Sequence, residues 1–169
     1  MKIVNLDGYT TNPGDLSWDW LGNYGEYKVY DRTAPEQIVE RAKGADILII
    51  NKSVITAQML ENLPNLKFVG LQSTGYNVID CKAARARNIT VSNIPAYSTT
   101  GVAQLVFAFI LQVADNVSLH SDAVHNGEWC ECPDFCFWKT PLTELDGKTI
   151  GIIGFGSIGR RCKRVWYEC

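Results

Sequence analysis

Residues 148–159 read K-T-I-G-I-I-G-F-G-S-I-G, and no other stretch restricts the fold so tightly. Ile150, Ile152 and Ile153 form a short apolar run that reads as a buried strand, and Gly154, Gly156 and Gly159 follow it at G-x-G-x-x-G spacing. Each glycine has a physical task. The first turns the chain out of the strand, the second lets a pyrophosphate approach the backbone, and the third lets helix and strand pack closely. The first N–H groups of the following helix then face the anion. A lone glycine motif is weak evidence, but between a strand and a helix it becomes a candidate dinucleotide turn. The chain ends ten residues after Gly159, where a dinucleotide-binding domain would only be starting.

The preceding residues repeat a strand–helix unit. Residues 2–6 read as a first strand ended by Asp7 and Gly8, and residues 10–25 as a turn-rich segment anchored by Leu16, Trp18 and Trp20. A second strand is predicted over 27–30. Asp31 or Thr33 would cap a helix with Pro35 in its first turn and Ile38, Val39 and Ala42 on its apolar face. A third strand over 46–50 is apolar without a break, as suits a parallel sheet covered on both faces. Thr56 caps a short helix stopped by Pro64, and a fourth strand spans 66–71. A helix follows over 77–88 with Val78, Ile79, Ala83 and Ala84 inward, then a fifth strand over 89–91. The alternation predicts an α/β fold with a parallel, doubly wound sheet that binds ligands at the carboxyl ends of its strands. Past Pro95 a long helix is expected over 98–126. Its first half is apolar almost all round, so it should be buried. An aromatic-rich irregular segment then runs through Pro141.

Composition narrows the function classes. A net charge of −2 gives no electrostatic reason to expect nucleic acid or an anionic membrane as partner. The N-terminus does not read as a signal peptide. Residues 102–114 fall short of the roughly 20 apolar residues that span a bilayer, so a cytoplasmic protein is expected. Of six cysteines, Cys130, Cys132 and Cys136 cluster as C-x-C-x3-C, while Cys81, Cys162 and Cys169 are scattered. The spacing is not that of a zinc site, and free thiols are expected, with no metal. His120 and His125 lie five apart on different helix faces, without the i, i+4 spacing of a metal pair or an evident carboxylate partner. They read as exposed or capping residues.

The fourth strand ends in Gln72-Ser73-Thr74-Gly75, small residues whose N–H groups suit a carboxylate. Taken alone, that loop reads first as a plain turn with Gly75 at positive φ. Ser98 or Thr99, opening the long helix, likewise reads first as a cap.

Several segments together resemble the D-isomer-specific 2-hydroxyacid dehydrogenase family, nearest to its glycerate dehydrogenase (hydroxypyruvate reductase) branch. They are L-Q-S-T-G-Y-N-V-I-D (71–80), N-I-P-A-Y-S-T-T-G-V-A-Q (93–104), G-E-W (127–129), D-F-C-F-W (134–138) and E-L-D-G-K-T-I-G-I-I-G-F-G-S-I-G (144–159). Their order and intervals match over residues 1–160. The resemblance implies a flavodoxin-like substrate domain over 1–97, and over 98–169 an incomplete Rossmann NAD-binding domain. Ser73, Thr74 and Gly75 would hold the substrate carboxylate, and Thr74 and Val102 would lie near the nicotinamide. Gly154, Gly156, Ser157, Ile158 and Gly159 would hold the pyrophosphate. The implied reaction is hydride transfer between NADH or NADPH, NAD being favoured, and a 2-oxo acid such as hydroxypyruvate or glyoxylate, giving a D-2-hydroxy acid. The family's catalytic His, Glu and Arg belong beyond residue 169, so no catalytic residue is assigned here. Intact relatives are expected to be homodimers. Two other classes compete: a non-catalytic module binding small carboxylates, and a corepressor-like scaffold, which the D-F-C-F-W segment disfavours.

After Gly159 the chain departs from the family. Residues 160–169, R-R-C-K-R-V-W-Y-E-C, offer few small or apolar side chains for packing on a sheet. A one-nucleotide shift within these codons permits A-V-N-A-F-G-M-N, the family's usual helix. A frameshift near Arg160 is therefore expected, leaving a truncated, inactive chain of marginal stability with unpaired strand edges.

Overall fold

A computed structural model describes residues 1–168; Cys169 lies outside the described residues. The chain divides into two compact units, Met1–Pro95 and Ala96–Cys169.

The first unit is a five-stranded, wholly parallel sheet. Its strands are β1 (Lys2–Asn5), β2 (Glu26–Val29), β3 (Ile47–Ile50), β4 (Phe68–Leu71) and β5 (Thr90–Ser92). They lie in the order β2-β1-β3-β4-β5, the flavodoxin-like order. The register aligns Ile3 with Ile47, Ile47 with Phe68, and Phe68 with Thr90. Central β1 is buried at Ile3, Val4 and Asn5. On β3 the apolar run is less deeply covered than its composition suggests: Leu48 and Ile50 are fully buried, while Ile47 and Ile49 are half-buried. The core joins Val4, Leu6, Leu48, Ile50 and Val69 to Ile38, Leu60 and Ala84 from the helices. Full burial stabilises each large aliphatic side chain by about 1.5–3 kcal/mol.

The connecting helices are short. A 3₁₀ turn, Pro35–Gln37, leads into α1 (Ile38–Ala42), and neither end has a capping side chain. Thr33 instead donates its hydroxyl to the Leu6 carbonyl at 2.6 Å, and Asp31 does not cap, so the expected cap is absent. Thr56 does cap α2 (Ala57–Glu61), accepting from the Met59 N–H. The helix expected over 77–88 is only α3 (Cys81–Ala86), because the Asp80 carboxylate accepts from the Ala83 N–H and starts it there. Ile79 stays outside it, bridged to Ile55. In the segment after β1, Leu16 and Trp20 are exposed and Leu21 supplies the buried anchor.

In the second unit the expected long helix is two: α4 (Thr99–Asp115) and α5 (Val117–His125), bent by 65°. Asn116 between them takes a left-handed conformation with φ 50°, and its side-chain amide donates to Thr140 Oγ1 at 3.0 Å. Asn tolerates that conformation better than most residues, and nothing in the sequence periodicity marks the break. Ser98 stands at the N-cap of α4, but its side chain makes no capping bond. The expected burial of α4 is also not met. Leu105, Phe109 and Val113 are 54%, 63% and 81% exposed. Within its own unit, among the described residues, the only long partner is α7 (Ser157–Glu168), which covers a single stripe of α4 and stacks Trp166 on Phe107 with ring centres 6.2 Å apart. No single helix among the described residues is long and apolar enough to cross a membrane. The one-turn α6 (Glu128–Glu131) precedes the aromatic segment.

The strand expected over 148–153 does not form. Its backbone enters no ladder among the described residues, and Ile153 is fully exposed. A parallel strand exists only when a neighbour satisfies its N–H and C=O groups, and no second strand of this unit lies within residues 96–168. The basic C-terminal segment does form a helix. Gly159 and Cys162 are buried on α7 and Val165 and Trp166 half-buried, so it carries an apolar stripe that its composition conceals.

Candidate functional site

The carboxyl ends of the parallel strands carry the first group of residues. In this strand order the direction of winding reverses between β1 and β3, the usual place for a ligand. Here the chain fills that crevice itself. Asp7, just past β1 and 3% exposed, accepts N–H bonds from Asn51 at 2.7 Å, Lys52 at 2.7 Å and Ser53 at 2.6 Å. Three aligned donors at a strand end form an anion cradle, and the occupant is the protein's own carboxylate. The sequence marked Asp7 only as the end of a strand. Its pairing spans 44–46 residues, so no local spacing could reveal it.

One strand further along, the loop after β4 is built differently. Thr74 donates its hydroxyl to the Ile94 carbonyl at 3.0 Å, and Asn93 Nδ2 donates to the Thr74 carbonyl at 2.8 Å. The Ile94 N–H reaches the Ser73 carbonyl at 3.0 Å, and Ser73 Oγ donates to the Gly75 carbonyl at 2.8 Å. The carbonyls of Ser73 and Thr74 are thus held by the segment after β5, and that of Gly75 by the loop's own Ser73 hydroxyl. Among the described residues, no protein acceptor takes the backbone N–H groups of Thr74, Gly75 or Tyr76, and all three residues are exposed. Gly75 does not adopt a positive φ, so the plain-turn explanation of that glycine is not what the structure shows. Ser73, Thr74 and Gly75 thus lie in one contiguous loop whose unbonded N–H groups run from Thr74 to Tyr76.

The second group lies at the start of α7. Gly154 has φ +93°, the turn out of the extended segment. A Cβ on Gly159 would lie 2.2 Å from the Gly154 carbonyl oxygen and 3.2 Å from Ile152 Cγ2, so helix and turn touch through a missing side chain. A Cβ on Gly156 would meet nothing within 4 Å, which leaves open space at that position. The N-terminal N–H groups of a 12-residue helix lie behind it, and its first turn holds no acidic residue. Ser157 and Ile158 are exposed there. The open space beside Gly156 therefore faces the positive, N-terminal end of the helix. Arg160 and Arg161 follow; the Arg161 Nε is buried with no hydrogen-bond partner. Val102 sits in the first turns of α4 and is 38% exposed.

The histidines do other work. His120 Nε2 accepts the Lys139 N–H at 3.0 Å, so the proton of the neutral ring is on Nδ1 and is given to the Asn116 carbonyl, also at 3.0 Å. His125 Nδ1 lies 2.8 Å from the Ser121 carbonyl. Cys81, Cys130, Cys132, Cys136 and Cys162 are free thiols, and no group of three His, Cys, Asp or Glu side chains among the described residues is placed to hold a metal ion.

Residues 10–160 match the family model described as D-isomer specific 2-hydroxyacid dehydrogenase, catalytic domain. The chain belongs to that family. A hydroxypyruvate reductase of Blautia hydrogenotrophica is 46% identical over 168 residues, 98% of this chain and 52% of that protein. A glycerate dehydrogenase of Methylorubrum extorquens is 38% identical over 136 residues, 80% of this chain and 43% of that protein. Among solved structures, an acyclic imino acid reductase in complex with NADPH and D-Arg is 29% identical, with a TM-score of 0.77 over 99% of this chain and 53% of the other. The apo-structure of the Escherichia coli D-lactate dehydrogenase, 22% identical with a TM-score of 0.73 over 99% of this chain and 52% of the other, shares the fold. The chain spans about half the length of the relatives it matches.

Proposed function

We propose that this chain carries two binding elements of an NAD(P)H-dependent D-2-hydroxyacid dehydrogenase acting on a hydroxypyruvate- or glyoxylate-like 2-oxo acid, with a glycerate-like product. The observation that carries the reading is the glycine turn. Gly159 packs on the Gly154 carbonyl while the space beside Gly156 stays open before the helix N-terminus. Those features fit a dinucleotide pyrophosphate, held by the N–H groups of Ser157, Ile158 and Gly159. The nicotinamide, when bound, supplies the hydride for the C2 carbon of the acid.

The chain's own residues bind and orient. The free N–H groups at Thr74, Gly75 and Tyr76 take the substrate carboxylate, and the Ser73 and Thr74 hydroxyls hold the loop open by bonding carbonyls rather than the acid. Both histidines are engaged by backbone groups. His120, held at both ring nitrogens, is not free to deliver a proton to a substrate carbonyl, and the role read for this chain is binding without turnover. NAD rather than NADP is the favoured cofactor.

Titration with NADH, followed by its fluorescence, tests the reading. Binding that Gly156→Val abolishes is expected, together with no oxidation of NADH on adding hydroxypyruvate or glyoxylate. Turnover above background would overturn the second half of the proposal, and unchanged NADH binding by Gly156→Val the first. One observation favours a second reading, a carboxylate-binding module without nucleotide: Met1–Pro95 holds a complete sheet and core of its own. Hydroxypyruvate binding by a chain with no NADH affinity would select it.

A further inference from the structure

The C-x-C-x3-C cluster has no part in either binding element, and the structure gives it a geometry that its spacing does not. The Cys132 residue leaves α6 with extended backbone, φ −71° and ψ 130°. The chain then folds back on itself. Trp129 Nε1 donates to the Phe135 carbonyl at 3.0 Å, the Trp129 and Phe137 rings lie 5.9 Å apart, and Lys139 pairs with Glu128. The result brings Cys132 Sγ to 3.6 Å from the carbonyl oxygen of Cys136. A carbonyl oxygen is about 2.4 Å from its own Cα, so the sulfur stands within about 6 Å of the Cys136 Cα. The Cys132 sulfur is thus turned toward the Cys136 residue, in a chain that folds back within five residues. Cys136 is exposed and Cys132 half-buried. Cys130 lies two residues before Cys132, within α6.

We propose that Cys132 and Cys136 form a peroxide-sensitive dithiol that closes to an intrachain disulfide. The exposed Cys136 thiolate attacks a hydroperoxide oxygen; an S–O bond forms, the O–O bond breaks, and the departing oxygen leaves as water or alcohol with the thiol's proton. The Cys132 thiol then attacks the sulfenic sulfur; the S–S bond forms, the S–O bond breaks, and water leaves. Two thiols lose two electrons and the hydroperoxide gains them. The bridge ties the segment carrying Phe135 into a closed five-residue ring.

The test uses the full chain, reduced, freed of reductant and exposed to hydrogen peroxide, then alkylated, digested and mapped by mass. The expected product is a peptide about 2 Da lighter than its reduced form, with Cys132 and Cys136 both closed to alkylation. Cys130 and the exposed Cys81 stay alkylated, and dithiothreitol restores both lost thiols. Cys132→Ser and Cys136→Ser each abolish the species, and Cys130→Ser retains it. A bridge using Cys130, a bridge between chains, or full alkylation of Cys132 and Cys136 after peroxide would overturn the proposal. The mapping of the unsubstituted chain decides it alone, whatever the variants do to folding.

Discussion

Replacing Gly159 by alanine separates packing from binding in the glycine turn. The new methyl would stand 2.2 Å from the Gly154 carbonyl oxygen and 3.3 Å from its carbon. A carbon–oxygen contact relaxes only at about 3.3 Å, so the first turn of α7 must move away by roughly 1 Å. The obstacle is backbone, which cannot rotate aside as a side chain would. Overpacking of this kind costs about 1–3 kcal/mol. Against it stands the better helix propensity of alanine, worth at most about 1 kcal/mol. The clash wins, leaving a net loss of about 1–2 kcal/mol confined to α7. Hydrogen exchange of the α7 amides reads that loss directly, as a rise in exchange rate of roughly five- to thirtyfold. Gly156→Ala is the control. Its methyl meets nothing within 4 Å and its backbone is not at positive φ, so α7 protection stays unchanged or improves slightly. NADH binding should nevertheless weaken in Gly156→Ala, because the methyl enters the space a pyrophosphate would occupy. Equal protection of α7 in Gly159→Ala and the parent, or equal loss in both variants, would refute the reasoning.

Two further outcomes follow from the first unit. Asp7→Ala leaves the N–H groups of Asn51, Lys52 and Ser53 without their acceptor in a buried crevice; a loss of about 3 kcal/mol is expected, with Asp7→Asn losing less, read from the urea midpoint of unfolding. Asp46 is held below the usual carboxylate range, first by the Lys67 ammonium and then by the Lys2 N–H. A depressed folded pKa contributes stability above the unfolded value, about 3.9, and loses it as pH falls through the folded one. The stability difference between the parent and Asp46→Asn should therefore hold steady from neutral pH down to about pH 5 and shrink below about pH 4. A difference that persists unchanged into that acid range would show that the ion pair is not its source.

Local pattern was enough for much of the first unit. Five apolar runs, separated by segments of the right length, became five parallel strands, each within two residues of its expected place. Thr56 capped as its spacing implied. The ends of helices fared worse, because a cap depends on which of several polar neighbours wins. Asp80 took the role and shortened its helix, while Thr33 was drawn to the Leu6 carbonyl 27 residues away. The bend at Asn116 has a similar origin. Its side chain is held by Thr140, beyond any window in which helix periodicity is read.

The glycine motif shows where local information stops. Residue types alone determine that Gly154 can turn, that Gly159 can admit a backbone oxygen where any other residue would carry a Cβ, and that the segment before them wants to be a strand. Whether that segment becomes a strand is a property of its neighbours, since ladder bonds are made between segments and not within one. Among the described residues none pairs with 148–153, and Ile153 stands in solvent. The same distinction separates the two groups of N–H donors at the carboxyl ends of the strands. Only the tertiary fold decided that Asp7 fills the one after β3, and that the N–H groups after β4 are left free.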